Sequence, residues 1–524
     1  MTEMEGPPCP SPQNFAKIPD VLAFLKKDPV RLGVILLALS SLISRALGLL
    51  RDLVFSSIFG VGTQAGPLAL DAYFVAFKIP DFLYTLLIFG AMSASFIPLY
   101  TQLRKKEGQD KAFEFTSQVL TGLMGLLLFC SLLGWLTAPY LIPHLASGFD
   151  PQLQSLAVTL TRIMLLSPIF MGLSSILQGV ENANKRFYGT ALAPVFYNLS
   201  IILAALIFGR THGVYALAYG VAAGAFLHFL IQIPGVYASA YRYRFHFKWK
   251  DKAWREFLAL SVPRLLGISS IQLASIADVF LTSFLSVGSL SVYNYAFNLQ
   301  SLPYGVVALA VSTAVYSSLA EQVDEPQQFI NSLRQSLSQI LFWVLPAVLG
   351  LYLLREPLIE LLLERGAFDA EATQRTAETL KIFVWTALPL SFIPLFTRAF
   401  YAFKKTFFPA SVACVSMAGI ILFNSLGIFV YGGDLKTLAL GNVLGTTLNA
   451  LLLVLGLAQH FKRSPLHFLD AKKLSIQITS LAVMIAVLMQ SESLPLLLQI
   501  SLAAATYLGL ALLLNTALQK KIRT

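Results

Sequence analysis

The chain reads as long apolar runs separated by short polar connectors. A window of about 19 residues marks fourteen such runs, at 32–52, 70–99, 113–138, 155–180, 188–209, 213–239, 255–285, 290–319, 334–353, 378–402, 408–431, 435–458, 474–491 and 494–516. Each meets or nearly meets the roughly 20 apolar residues that an α-helix needs to cross hydrocarbon. The pattern predicts an all-α polytopic membrane protein.

The connectors carry the orientation signal. With the N-terminus inside, the inner connectors hold Arg104-Lys105-Lys106, Lys185-Arg186, Arg242 through Arg255, Lys404-Lys405, Lys462-Arg463 and Lys472-Lys473, and the tail ends in Lys520-Lys521-Ile522-Arg523. The outer connectors 139–154, 286–289 and 492–493 hold neither Lys nor Arg. Only 354–377 departs from this, its arginines balanced by acids, and it is long enough for a short surface helix. Basic residues collect on the cytoplasmic side, so both termini are expected in the cytoplasm. The N-terminal segment has no apolar region followed by a cleavage site, so the first span is expected to act as the insertion signal.

An internal repeat organises the spans. Tyr73-Phe74-Val75-Ala76-Phe77-Lys78 in the second span resembles Tyr293-Asn294-Tyr295-Ala296-Phe297-Asn298 in the eighth. Asn184-Lys185-Arg186-Phe187-Tyr188 before the fifth is echoed by Phe403-Lys404-Lys405-Thr406-Phe407 before the eleventh. An even offset of six spans keeps both halves in one orientation, a parallel repeat of the kind transporters build around a central site. The expected plan is a polar cytoplasmic segment (1–30), a six-helix lobe (31–240), a basic inter-lobe connector (241–256), a second six-helix lobe (257–460), and two additional helices with a cytoplasmic tail (461–524).

Charges inside the apolar runs are the candidate chemistry. Arg45 lies roughly 20 Å into the first span, where an arginine costs at least about 2.5–3.5 kcal/mol and so normally faces a bundle interior or wet cavity. Arg45 and Asp52, seven residues apart, share one stripe of the helix. Gly48 between them is the expected place for the helix to loosen. Asp71 and Lys78 sit in the second span, Arg162 in the fourth, Arg264 and Asp278 in the seventh. Pro263 and Gly267 around Arg264 mark a place where backbone groups could be freed. Arg264 and Asp278 are about 21 Å apart along one helix, so a partner for Asp278 must come from another helix. His228 reads as a hydrogen-bonded core histidine, and Arg398 as an anchor at the inner surface.

Composition narrows the classes. The 524 residues are 56% hydrophobic and 12% charged, against about 25% charged in soluble domains. The net charge of +11 is confined to connectors, which argues for topology rather than nucleic-acid binding. Cys9, Cys130 and Cys414 are scattered, with no metal or disulfide spacing. No nucleophile elbow, P-loop or paired carboxylates share a connector, so enzyme chemistry is not expected.

Ser44-Arg45-x-x-Gly48-x-x-Arg51-Asp52 followed by Asp71-Ala72-Tyr73-Phe74-Val75-Ala76-Phe77-Lys78-Ile79-Pro80 resembles the opening of the MurJ-type (MviN-like) lipid II flippases, within the multidrug/oligosaccharidyl-lipid/polysaccharide exporter superfamily. The resemblance continues through Gly90-Ala91, Phe96-Ile97-Pro98, Asn184-x-Arg186-Phe187, Ala193-Pro194 with Asn198, Glu364-Arg365-Gly366-Ala367-Phe368 and Arg398-Ala399-Phe400-Tyr401-Ala402. It implies a central cavity between the lobes, alternating access, a bacterial inner-membrane location, and a cargo of undecaprenyl-diphosphate-linked disaccharide-pentapeptide. It also implies that Arg45, Arg51, Asp52 and Asp71 matter for transport. Partners among membrane lipids and cell-wall synthesis proteins are in keeping with it. No cofactor or metal is called for; membrane potential and a monovalent cation both stand as drives.

The chain departs from that pattern where the family carries cations. Tyr84-Thr85 stands in place of an Arg pair, Phe89 in place of an acid, and Asn298 where an Arg is expected. Arg264, Arg162 and Lys78 are the candidates to replace the lost charge. An Arg-rich first span suits an anionic cargo, since guanidinium pairs bidentately with phosphate. Two other readings stay open: a flippase or cation-coupled exporter of the same superfamily with different cargo, and a transport-inactive membrane scaffold.

Overall fold

Five helices in this chain start where an aspartate takes up unpaired N–H groups of the first turn. Asp150 accepts from the Gln152 and Leu153 amides, both at 2.9 Å, and Asp251 from Ala253 and Trp254 at 2.9 and 3.1 Å. Asp369, Asp434 and Asp470 cap three later helices in the same way. The computed structural model describes residues 29–61, 69–86, 95–491 and 493–523, with the side chains at 29–32, 34, 262–271, 306 and 517–523 outside that description.

The first lobe comprises α1 (Pro29–Phe59), α2 (Leu70–Tyr84), α3 (Ile97–Glu107), α4 (Gln109–Leu145), α5 (Pro151–Met164), α6 (Ser167–Ala183), α7 (Tyr188–His212), α8 (Val214–Leu230) and α9 (Ile233–Ala238). The second comprises α10 (Lys252–Ser283), α11 (Ser289–Glu321), α12 (Pro326–Leu353), α13 (Arg355–Leu363), α14 (Ala370–Phe383), α15 (Ala387–Ala402), α16 (Phe407–Phe429) and α17 (Leu435–Phe461). A final pair, α18 (Ala471–Gln490) and α19 (Leu496–Arg523), packs on itself and on α12. Within the first lobe α7 packs on α1 and α8, and α2 on α5; within the second α11 packs on α12 and α15, and α16 on α17.

Among the described residues no strand occurs, and eleven helices, some interrupted, are long and apolar enough to cross a membrane. The fourteen expected runs include three more, 32–52, 70–99 and 255–285, which are helical at α1, at α2 with α3, and at α10, but are not among the eleven. Two local expectations fail. α1 runs unbroken through Gly48 to Phe59, and α10 stays helical across Pro263 and Gly267. One glycine does not outweigh a long run of good helix formers. The connector after Leu354 does carry a short helix, α13.

The repeat is visible in the backbone. Lys185 and Lys404 both adopt the left-handed conformation, with φ of 57° and 58°. Behind each, the same pair of bonds closes the helix end: Lys185 N–H to Asn182 and Arg186 N–H to Glu181, against Lys404 N–H to Tyr401 and Lys405 N–H to Phe400. This is the left-handed end that satisfies the last carbonyls. Six spans apart again, the α5–α6 leg breaks at Leu165–Leu166 and the α14–α15 leg at the 3₁₀ turn Val384–Thr386.

A left-handed residue with a Cβ is strained by roughly 1–2 kcal/mol, part of which glycine gives back as backbone entropy. Lys185→Gly and Lys404→Gly are each expected to raise stability by up to about 1 kcal/mol, and Lys185→Val to lower it. Thermal unfolding of the detergent-solubilised chain measures the order.

Candidate functional site

Two ends of the bundle are distinguished by their connectors. One, the basic end, carries 104–106, 185–186, 242–255, 404–405 and 462–473; the opposite end carries 146–150, 284–288 and 364–369. α1 runs from the basic end to the opposite end and α11 runs back. Where they and α2 meet, the sequence-selected charges gather.

At the opposite end, Asp71 of α2 reaches across to the start of α11. Its carboxylate accepts from Gly288 N–H at 2.8 Å, Ser291 N–H at 2.8 Å and Ser291 Oγ–H at 2.5 Å. Gly288 is left-handed, φ 83°, which aims these amides at the carboxylate. An anion on the positive end of a helix dipole is favourable. Both oxygens of Asp71 are thus committed to a helix start in the other lobe.

Further along, Asn298 Nδ2–H donates to Asp52 Oδ2 at 2.7 Å, while Arg51 touches the other oxygen of Asp52 at 3.3 Å and lies 5.8 Å from the Phe55 ring centre. Midway along both helices, Arg45 Nη2–H donates to the carbonyl of Gly305 at 2.6 Å. No carboxylate pairs with Arg45 among the described residues. A methyl on Gly305 would meet Arg45 Nη1 at 2.6 Å, so glycine is what lets the guanidinium lie against the α11 backbone. Ser291, Asn298 and Gly305 are spaced by seven, as are Arg45 and Asp52. Two antiparallel helices thus present matching stripes.

A second seam joins α2 to α10. Lys78 Nζ–H donates to Ser275 Oγ at 2.9 Å, and Gln272 Nε2–H to Asp81 Oδ2 at 3.2 Å. The main chains also meet at the opposite end, where Ala367 N–H donates to Ser57 O at 3.0 Å. Gly60 and Gly366 flank this contact with φ of 64° and 61°; a Cβ on either would come within 2.2 Å of a carbonyl oxygen of the other lobe.

Of the residues singled out from the sequence, Arg45, Arg51, Asp52, Asp71, Lys78 and Asn298 line the junction between the lobes. Arg162 does not join them. Its guanidinium lies 4.5 Å from the Trp135 ring centre and Nε–H donates to Trp135 O at 3.2 Å, so α4 of its own lobe satisfies it. The side chain of Arg264 lies outside the described residues, as do Phe89, Gly90 and Ala91. Asp278 finds its partners on other helices: Tyr293 Oη–H at 2.7 Å, and the amides of Asn442 and Asn424 at 3.4 Å. Asn424 Oδ1 beside it is buried without a hydrogen bond. His228 is a core histidine, 2.7 Å from Ser174 Oγ. Arg398 donates at 3.4 Å to Leu309 O.

Gly305, Ser291 and Ser275 carry no mark in the sequence, because their contribution is a carbonyl, an amide or a hydroxyl that any span could offer. Asn298, Asn424 and Asn442 were detectable as amides inside apolar runs. Among the described residues no three His, Cys, Asp or Glu side chains form a metal-binding group.

The family described as "Lipid II flippase MurJ" matches residues 55–510. A probable lipid II flippase MurJ of Thermotoga maritima is 33% identical over 371 residues, covering 70% of this chain and 73% of that protein. The lipid II flippase MurJ of Burkholderia cenocepacia is 31% identical over 437 residues, covering 80% and 81%. A solved lipid II flippase MurJ in an inward closed conformation superimposes with a TM-score of 0.78 at 26% identity, covering 94% of this chain and all of its own.

Removing the charged acceptor at the start of α11 strands two amides and a hydroxyl. Asp71→Ala is expected to lower stability by about 1–3 kcal/mol, and Asp71→Asn to recover part of the loss. Thermal unfolding in detergent checks both.

Proposed function

We propose, of a chain that belongs to the MurJ family of lipid II flippases, that it carries lipid II from the inner to the outer leaflet by alternating access, the diphosphate engaging Arg45 at the lobe junction. One observation carries the reading. Arg45 has no carboxylate partner among the described residues and is held only by a carbonyl of the other lobe, midway along α1 and α11. A phosphate oxygen is a stronger acceptor for guanidinium than a neutral carbonyl, so cargo can displace Gly305 and loosen the lobe contact in the same step.

The seam supports the direction of access. The bonds from α1 and α2 to α11 run from its start to Gly305, so they hold the lobes together toward the opposite end. A cargo head group then enters from the basic end, which the positive-inside rule assigns to the cytoplasm. A disaccharide-peptide head cannot cross hydrocarbon unaided, since each unsatisfied polar group costs several kcal/mol. A cleft that takes the head and leaves the tail in lipid removes most of that barrier. Lys78 supplies a second cation at the junction, and Asn298 keeps Asp52 hydrogen-bonded where the family carries an arginine. If a monovalent cation drives the cycle, Asp278 with the Asn424 and Asn442 amides is the oxygen-bearing place that suits it.

Arg45→Ala and Arg51→Ala are each expected to abolish rescue of a flippase-depleted bacterium while leaving membrane insertion intact. Arg45→Lys rescues poorly, because ammonium keeps the charge but loses the bidentate fork. Gly305→Ala impairs rescue without unfolding, since its methyl meets only the movable end of Arg45. Normal growth with both arginines replaced by alanine removes the anionic-cargo reading.

Orientation is tested separately. In a cysteine-free background, single cysteines at Lys250 and Ser464 are expected to be shielded from an impermeant thiol reagent in intact cells, and one at Ser147 to react. The reverse pattern overturns the topology.

A further inference from the structure

The segment between the lobes alternates basic and aromatic residues: Arg242-Tyr243-Arg244-Phe245-His246-Phe247-Lys248-Trp249-Lys250. It is neither helix nor strand, yet it is strapped along the basic end of α4. Gln118 Nε2–H donates to Lys248 O at 2.7 Å, Thr121 Oγ1 lies 3.0 Å from Tyr243 Oη, and His246 lies 3.1 Å from Glu114. Trp254 and Phe247 pack so closely over Gly122 that a Cβ there would meet the indole at 2.5 Å. The strap is a built part of the first lobe.

Next to it lies a cavity of about 350 Å³ that the junction chemistry does not use. Its walls are apolar: Leu120 of α4, Leu173 and Leu177 of α6, Phe229 of α8, and Ile233 and Val236 of α8–α9. The charged residue of its lining is Arg242, beside Tyr237, Tyr241 and Tyr243. Its guanidinium lies 3.3 Å from the Tyr237 ring centre, with Nη1–H donating to the Tyr237 and Tyr241 carbonyls at 2.8 Å. Those are neutral acceptors. Among the described residues no carboxylate forms an ion pair with Arg242, Arg244, Lys248 or Lys250. Tyr237 lines the cavity and Phe245 and Trp249 belong to the adjoining strap; they are exposed to 61%, 79% and 65%. Exposed aromatics at the end of a transmembrane bundle mark the headgroup level, and clustered Lys and Arg there attract anionic lipid.

We propose that this cavity holds an acyl chain of an anionic phospholipid from the surrounding membrane, with its phosphate on Arg242 and Arg244. Shape, apolar walls and charge agree. The volume is at the lower end of small-molecule sites, roughly 300–1,000 Å³, which suits a chain rather than a saccharide head. Guanidinium with unspent N–H donors suits a phosphodiester. The site lies between helices of one lobe, apart from Arg45, so it stands whatever the cargo is. A lipid seated there fastens the inter-lobe connector to the first lobe.

Native mass spectrometry of the full-length, delipidated protein tests this with phosphatidylglycerol and phosphatidylcholine of identical acyl chains. The wild type is expected to retain one phosphatidylglycerol with a preference of about tenfold, because both lipids offer the phosphate but the choline cation offsets its charge and is repelled by the arginines. Arg242→Gln with Arg244→Gln, both at exposed positions, is expected to erase the preference. Leu173→Trp, which fills the cavity, is expected to lose the bound lipid, while Lys472→Gln in another basic connector changes nothing. Equal retention of the two lipids by the wild type, or an unchanged preference in the double variant, overturns the proposal. So does stronger retention of undecaprenyl phosphate than of phosphatidylglycerol, which would assign the cavity to the cargo's own lipid.

Discussion

A carboxylate in one lobe holds the first turn of a helix in the other, and the junction is organised around that bond. Asp71 and the start of α11 are both buried, so neither can fall back on water. A buried anion needs compensation, and a helix start has unpaired N–H groups and a positive dipole end to give. Each answers the other's cost. Because the contact is a charge against oriented amides rather than an ion pair, it fixes direction as well as proximity: α11 must point its N-terminus at α2. That sets the antiparallel run of α11 beside α1, and with it the meeting of Asp52 with Asn298 and of Arg45 with Gly305.

Polarity along this seam is graded. Three donors satisfy one carboxylate at the opposite end, a single amide meets a half-paired carboxylate further in, and a cation meets only a neutral carbonyl at mid-depth. An unpaired cation in a low-dielectric setting is a strong attractor for an anion, so the least satisfied contact is the one most open to exchange with a ligand.

Much of this could be read from the chain. Apolar runs placed the helices within a turn or two of where they lie, and the echo of Asn184-Lys185-Arg186-Phe187 in Phe403-Lys404-Lys405-Thr406-Phe407 foretold a shared backbone turn. The common stripe of Arg45 and Asp52 was legible from spacing alone. What the chain hid was the partner in each case where the partner is main chain. An aspartate inside a span invites a search for a cationic side chain, because side chains are what a sequence displays, whereas the donors that satisfy Asp71 are amides created only when α11 begins. Arg162 illustrates a second limit: periodicity says that a residue is inside a bundle but not which neighbour it faces, and Trp135 of its own lobe took it.

One contact between the lobes at the opposite end is main chain on main chain, Ala367 N–H on Ser57 O, between glycines that leave no room for a Cβ. Such a gate is blind to the side chains around it, so the flanking loops can vary without changing how it shuts. Taken by itself, that contact is also cheap to part. Water replaces both partners, and an exposed backbone hydrogen bond exchanged this way is worth only about 0.5–1.5 kcal/mol. Parting this one contact tears no side chain from a binding partner, and the missing methyls keep it from acquiring a doorstop; the cost of separating the lobes lies instead in the bonds of Asp71 and Asp52.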